Sequence, residues 1–443
     1  MGKVATPPAS ASAYGVIART WVPLALNWLM MALEGPLLVA LIGRLSDPTT
    51  SLASFSVAFS IALIVEAPIM MLLSASAALV RSRGDYEKLW RFASALALPL
   101  SGLMAIIGIP AIFQRLNALL WHLPPAMAKQ VAGAVWLLIP WPAAIAYRRL
   151  WQGILIRSGR SRLVAWGTVL RLIGMVIGAT GALWLSNWSG AWIAACALST
   201  GVLTEMLAVR LWAAPTLRHL PLTHHNPLSY RQIVRFYIPL LLTSLLNVAL
   251  TPLLTLLMAH GQEPILSLAS YSPTTSTIFL FSCFGVAYQE VVIVLSGTRV
   301  GASLLPFAHR IALGTVLGLG LLTLPGVYEF WFERVFALPE VLHPLAQIAL
   351  LCALPMPGLV VYLAYIKGRF IWAQHTRLNL LAAVIELAGV MLFSGMLILG
   401  TPLTALYGAI MGLVMARAVT LGVFFRDFFM AKCASGMYAK SSA

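Results

Sequence analysis

Five of the thirteen acidic residues in this chain, Glu34, Glu66, Glu205, Glu290 and Glu386, stand inside long apolar runs, and Arg171 and Arg417 join them. An ionised side chain in a lipid setting costs roughly 2.5–3.5 kcal/mol on insertion scales, so each is expected to face a cavity or a partner. Glu34 and Glu66 share a local design, Glu34-Gly35-Pro36 and Glu66-Ala67-Pro68. Proline frees a carbonyl one turn back and permits a kink, which gathers oxygen acceptors near the carboxylate. Such a place suits a proton or a sodium ion. The plainer reading is a carboxyl hydrogen-bonded between packed helices.

Glu205 and Glu290 are further coupling-ion candidates, although Glu205 reads first as the partner of a neighbouring helix. Arg171 and Glu386 are candidates for substrate binding. A guanidinium stays charged and presents a fork of donors that suits phosphate or carboxylate. Asn27, Asn247 and Gln289 are expected to add polar groups to a cavity lining, with helix–helix hydrogen bonds as the alternative. Arg417 reads as a snorkelling residue. The stretch Tyr147-Arg148-Arg149-Leu150-Trp151-Gln152 reads as ordinary inner-face anchoring, or else as a basic rim that steers anions.

The elements that must hold these residues follow from composition. The 443-residue chain is 60% hydrophobic and 9% charged, with a mean hydropathy of +0.90. Runs near 20 apolar residues recur throughout, so the fold class is an all-α polytopic membrane protein. Twelve spans fit: roughly 19–43, 52–80, 92–113, 130–152, 163–185, 190–213, 235–259, 268–296, 306–328, 344–366, 378–398 and 402–425. With the N-terminus inside, the inner segments hold Arg81, Arg83, Lys88, Arg91, Arg157, Arg160, Arg162, Arg218, Arg231, Arg235, Arg299, Arg310, Lys367, Arg369 and Arg377. The outer loops hold only Arg44, Arg115, Lys129 and Arg334 among bases, which sets both termini in the cytosol.

The net charge of +16 therefore reflects topology; the chain carries no basic stripe of the nucleic-acid type. Phosphate-loop, zinc-protease, nucleophile-elbow and dinucleotide patterns are absent, as are CxxC and Cys/His clusters. The chain is not expected to be an enzyme, and neither cofactor nor metal is expected. His224 and His225 read as solvated linker residues.

The chain also repeats itself. Shifted by about 216 positions, Pro23, Pro36 and Pro48 fall on Pro239, Pro252 and Pro264, and Ser51-Leu52-Ala53-Ser54-Phe55 falls on Ser267-Leu268-Ala269-Ser270-Tyr271. At about 215 positions, Pro140-Trp141-Pro142 falls on Pro355-Met356-Pro357, Gly153 on Gly368, Arg162 on Arg377 and Gly174 on Gly389. Arg171 and Glu386 share one repeat position, which allows a central ion pair, a division of labour, or a purely structural pair within or between bundles. Six spans per half give two parallel bundles about a pseudo-two-fold axis along the membrane normal. The expected layout is a cytosolic tail at 1–18, bundles at 19–213 and 232–428, a cytosolic linker at 214–231 and a cytosolic tail at 429–443.

Two parallel six-helix repeats joined by a linker resemble the MOP flippase superfamily, which includes MATE exporters and lipid-linked oligosaccharide flippases. Leu52-Ala53-Ser54-Phe55-Ser56-Val57-Ala58-Phe59-Ser60, Trp151-Gln152-Gly153-Ile154-Leu155-Ile156 and Tyr407-Gly408-Ala409 resemble the progressive ankylosis protein (ANK) family. That resemblance implies export of small multivalent anions such as pyrophosphate, ATP or citrate-like carboxylates, by alternating access in a bacterial inner membrane. The alternatives are a MATE-type proton- or sodium-coupled antiporter of organic cations, then a lipid-linked precursor flippase.

Overall fold

The computed structural model describes residues 13–185, 187–222, 228–373 and 375–439. It is all-helical, with one isolated bridge between Gln262 and Thr404 among the described residues. Eleven helices are long and apolar enough to cross a membrane, and a bent pair makes a twelfth. They are α1 (Ala13–Gly43), α2 (Pro48–Leu79), α3 (Arg83–Gly108), α4 (Pro125–Arg157), α5 (Arg162–Trp184) and α6 (Gly190–Arg218). The second set is α7 (Tyr230–Ala259), α8 (Pro264–Leu295), α9 (Gly301–Leu322), α10 (Glu340–Cys352 and Met356–Trp372, bent by 41°), α11 (Arg377–Gly400) and α12 (Ala405–Phe424). The twelve form two six-helix bundles related by the pseudo-two-fold axis. His224 and His225 lie outside the described residues.

The repeat is visible in the backbone as well as in the sequence. Asp47 and Glu263 both adopt left-handed φ of 50°, and each leads into a helix that opens on proline, Pro48 or Pro264. The proline ring disfavours the right-handed helical region for the residue before it, so the chain turns sharply there and restarts. Both copies of the Ser-Leu-Ala-Ser-aromatic stretch are then buried.

Small residues set how closely the helices of each bundle approach. Gly174, Gly178 and Gly201 bring α5 against α6, where a Cβ on Gly178 would collide with the Thr200 hydroxyl oxygen. Gly389 and Gly412 do the same for α11 and α12, against Ala416 and Ser394. Dispersion over such close backbones drives association where lipid tails are as apolar as leucine. The opposite faces are apolar and open, as with Leu98, Leu103 and Ile106 on α3.

The bundles are tied together at both ends. At one end the Arg44 guanidinium donates to the carbonyl oxygens of Arg334 (2.7 Å) and Val335 (2.8 Å), the closing residues of a π-helical turn, Phe330–Val335. Toward the other end α2 breaks at the 3-10 turn Ala67–Ile69. Its freed carbonyls at Ala67 and Pro68 accept from Ser244 (2.9 Å) and Tyr237 (2.5 Å) of α7. The helix is therefore interrupted directly after Glu66, and the carbonyl oxygens at the interruption are taken by donors from the other bundle. The linker end is held by α3, where Asp85 accepts from the Leu228 amide at 2.9 Å.

Candidate functional site: a buried charge cluster

Each charged side chain that the apolar spans carry is placed by a break or a helix face. Glu34 opens the second segment of α1, directly after the interruption at Leu33. Glu66 closes the first segment of α2. On α4, Trp141, Ile145, Arg148 and Gln152 are spaced to share one face, and all four are buried. Arg171 lies on α5 and Glu205 on α6.

These groups converge inside the first bundle. The Arg171 guanidinium donates to Glu34 Oε2 at 2.6 Å and approaches Glu205 Oε2 at 4.0 Å. Glu205 is bonded directly by Arg148 and, through Oε1, by the Gln152 amide at 2.9 Å. The Trp141 indole N–H donates to Glu66 Oε2 at 2.5 Å, and its ring lies 5.5 Å beneath the Arg171 guanidinium. Arg149 donates to the Met70 sulfur at 3.6 Å. Burial of so much charge is tolerable because opposite signs interleave, and breaking one pair leaves an uncompensated ion. Even so, the Nε–H groups of Arg148, Arg149 and Arg171 are buried without an acceptor among the described residues, as is Glu34 Oε1 without a donor.

The second bundle holds a smaller group. Glu386 on α11 is clamped between Lys367 Nζ of α10 (3.1 Å) and Arg417 Nε of α12 (2.9 Å). Arg417 also reaches the Met356 sulfur at 3.1 Å.

Several expectations change on this geometry. Arg171 and Glu386 do not pair across the axis; each is engaged inside its own bundle. Arg417 bonds Glu386 rather than snorkelling to an interface. Tyr147 to Gln152 is neither an inner-face anchor nor a surface rim, because α4 continues to Arg157 and carries Arg148 and Gln152 into the interior. Lys367 likewise belongs to a helix and not to an inner loop. Glu290 is exposed on α8, where it accepts from the Trp28 indole of α1 at 3.2 Å. Asn27 and Gln289 are half-buried and take no part in the cluster's hydrogen bonds, and the Asn247 side chain lies outside the described residues.

Arg148, Arg149 and Lys367 are members of the two clusters, where the sequence pattern suggests inner-face bases instead. One signal does point to Lys367: with Gly153 aligned on Gly368, Gln152 falls on Lys367, so both bundles place a polar side chain at the same repeat position.

By sequence, neither a family model nor a curated protein matches the chain. Its shape is more informative. An inward-facing conformation of a multidrug resistance MATE family transporter of the MOP superfamily superposes with a TM-score of 0.70, covering 96% of this chain and 100% of the other. This chain has the MATE fold. The identity is 16%, so the likeness speaks to architecture. An outward-facing conformation of a MATE transporter of the same superfamily matches less closely, with a TM-score of 0.62, 16% identity and coverage of 96% and 97%. A MOP superfamily transporter from Pyrococcus furiosus, described by a reverse polarity of its binding pocket that suggests a different function, gives the same score, identity and coverage. The MATE fold here thus lies nearer the inward-facing example than the outward-facing one.

Proposed function

We propose that this chain is a secondary-active transporter that exports small multivalent anions, of the pyrophosphate, ATP or citrate-like class, by alternating access of its two bundles. Neighbours of the same fold occur in inward- and outward-facing forms, which supports a rocking mechanism. The observation that carries the anion reading is the surplus of donors in the first bundle. Three guanidinium Nε–H groups are buried in one cluster and find no acceptor among the described residues. Buried polar groups are satisfied in the great majority of cases, and the exceptions call for a ligand or water. A carboxylate or phosphate supplies several oxygens at once and matches the guanidinium fork. The ANK-like stretches in α2, α4 and α12 point the same way. Placement in a bacterial inner membrane with both termini cytosolic completes the reading, and either a proton or sodium can serve as coupling ion.

A second reading is favoured by a different observation. Glu290 presents an exposed carboxylate beside the Trp28 ring at the contact of α1 with α8, a pairing that suits an organic cation. This is the MATE-type drug antiporter.

Uptake of labelled citrate, pyrophosphate and ATP into proteoliposomes, beside a cationic dye, separates the two. Saturable anion flux is expected, and Arg171→Ala is expected to abolish it, with Arg171→Lys as the control for folding. Dye flux without anion flux would transfer the function to the second reading.

A further inference from the structure

The cluster in the first bundle contains three glutamates and three arginines, and their pairing is uneven. Arg171 engages Glu34 and approaches Glu205, and Arg148 engages Glu205. Glu66 and Arg149 are left over: neither has an ion pair within 4.0 Å among the described residues. We infer that Glu66 and Arg149 form a paired loading site, Glu66 for a proton and Arg149 for one oxyanion group of the substrate, so that the two bind together. The inference rests on the anion reading above and deepens it.

The geometry of each group supports its role. Glu66 is 5% exposed, and its hydrogen bond comes from a neutral donor, the Trp141 indole. Arg149 is half-buried, with one N–H on a thioether, a weak acceptor, and its buried Nε–H on none. A carboxylate or phosphate with two oxygens would satisfy that fork.

Charge then links the two events. The charged groups around Glu66 are Arg149 and Arg148 from α4 and Arg171 from α5, with Glu34 from α1. Glu205 of α6 completes the set, and Tyr237 of α7 bonds the Pro68 carbonyl two residues on. With all six ionised the cluster is neutral. A proton on Glu66 leaves one positive charge, and Arg149 is the cation without a carboxylate partner. One singly charged oxyanion group of the substrate balances that charge, so each ligand tightens the other by the same factor. In a cation antiporter, by contrast, cargo and proton compete for one carboxylate. Here they travel in the same direction. In export the proton leaves with the anion, and the drive is the anion's own gradient and the membrane potential on its remaining negative charge.

The site also lies where loading can reach the second bundle. Glu66 directly precedes the 3-10 turn whose Ala67 and Pro68 carbonyls are held by Ser244 and Tyr237 of α7. Met70, the sulfur beside Arg149, immediately follows that turn.

The test uses the full chain in proteoliposomes with labelled citrate and pyrophosphate, each assayed from about pH 5.5 to 8, and a pH dye inside the vesicles. Wild type is expected to move one more proton per anion than the substrate itself carries. Arg149→Gln should weaken apparent affinity roughly 10- to 100-fold, the range for a charged hydrogen bond, and Arg149→Lys should recover only part. Glu66→Gln should flatten the pH dependence relative to wild type; the substrate's own titration is common to both and cancels. Wild-type affinity in Arg149→Gln, an unchanged pH profile in Glu66→Gln, or no extra proton in wild type would overturn the inference while anion export stands. Absence of any anion flux in wild type, with dye moved instead, would remove the anion reading and this inference with it. The proton count needs no variant, so a substitution that fails to fold does not block the answer.

Discussion

The two bundles place charge on the same three helices and use it differently. In the first, α4, α5 and α6 carry Arg148, Arg171 and Glu205; in the second, α10, α11 and α12 carry Lys367, Glu386 and Arg417. Arg171 and Glu386 share a repeat position with opposite sign, and the partners around each are inverted to match. What differs is closure. Glu386 has two cations, and both are bonded to its carboxylate. The first cluster recruits Glu34 and Glu66 from the two broken helices α1 and α2, and still leaves buried donors without acceptors among the described residues. A closed triad holds three helices together. An open cluster that reaches two interrupted helices still has buried donors to offer a ligand.

The largest effect that tests this contrast is on folding stability. Arg148→Met removes the direct partner of Glu205, which is 0% exposed, and breaking a buried pair costs about 3–5 kcal/mol. A marked fall in melting temperature in detergent is expected. The double variant Arg148→Met/Glu205→Leu should recover much of it, because an apolar replacement of both members removes the stranded charge. If the double variant melts no higher than the single one, the cost is packing, and the electrostatic account of this bundle fails.

In the second bundle the matching cut should cost less. Glu386→Gln strands Lys367 and Arg417, whose side chains are 20% and 22% exposed against 6% and 7% for Arg148 and Arg171. Long side chains with partial access can turn toward water. The expected loss is about 1–2 kcal/mol, read from the same melting assay. A loss as large as that of Arg148→Met would erase the distinction between open and closed clusters.

Much of this architecture is legible in the amino-acid order. Apolar runs near 20 residues mark the spans, and three prolines at one spacing mark the repeat, because both are one-dimensional signals. The bare presence of Glu34, Glu66, Glu205, Glu386 and Arg171 in those runs marks them as partnered. Who partners whom is not legible, since Arg171 meets Glu34 from a helix four spans away. Arg148, Arg149 and Lys367 escape because a base near the end of an apolar run looks like inner-face anchoring, and only the continuation of α4 to Arg157 and of α10 to Trp372 buries them. Glu290 departs in the other direction. Its run is apolar all round, so the face it occupies on the 32-residue helix cannot be read from periodicity.

The mildest variant makes the sharpest use of the repeat. Lys367→Gln gives the second bundle the residue that the first bundle already has at that repeat position, Gln152. Glu386 keeps Arg417 at 2.9 Å, so no charge is stranded, and the glutamine amide can still donate to the vacated oxygen as Gln152 does to Glu205. The expected cost is about 0.5–1.5 kcal/mol, that of one exchanged hydrogen bond. Anion uptake should change less than about twofold, roughly 0.4 kcal/mol on the transport barrier, because the triad leaves no buried donor without an acceptor among the described residues. A tenfold fall in uptake by well-folded Lys367→Gln protein would place Lys367 on the transport path. The asymmetry would then be one of degree, with each bundle contributing a cation to the same anion from opposite sides of the axis.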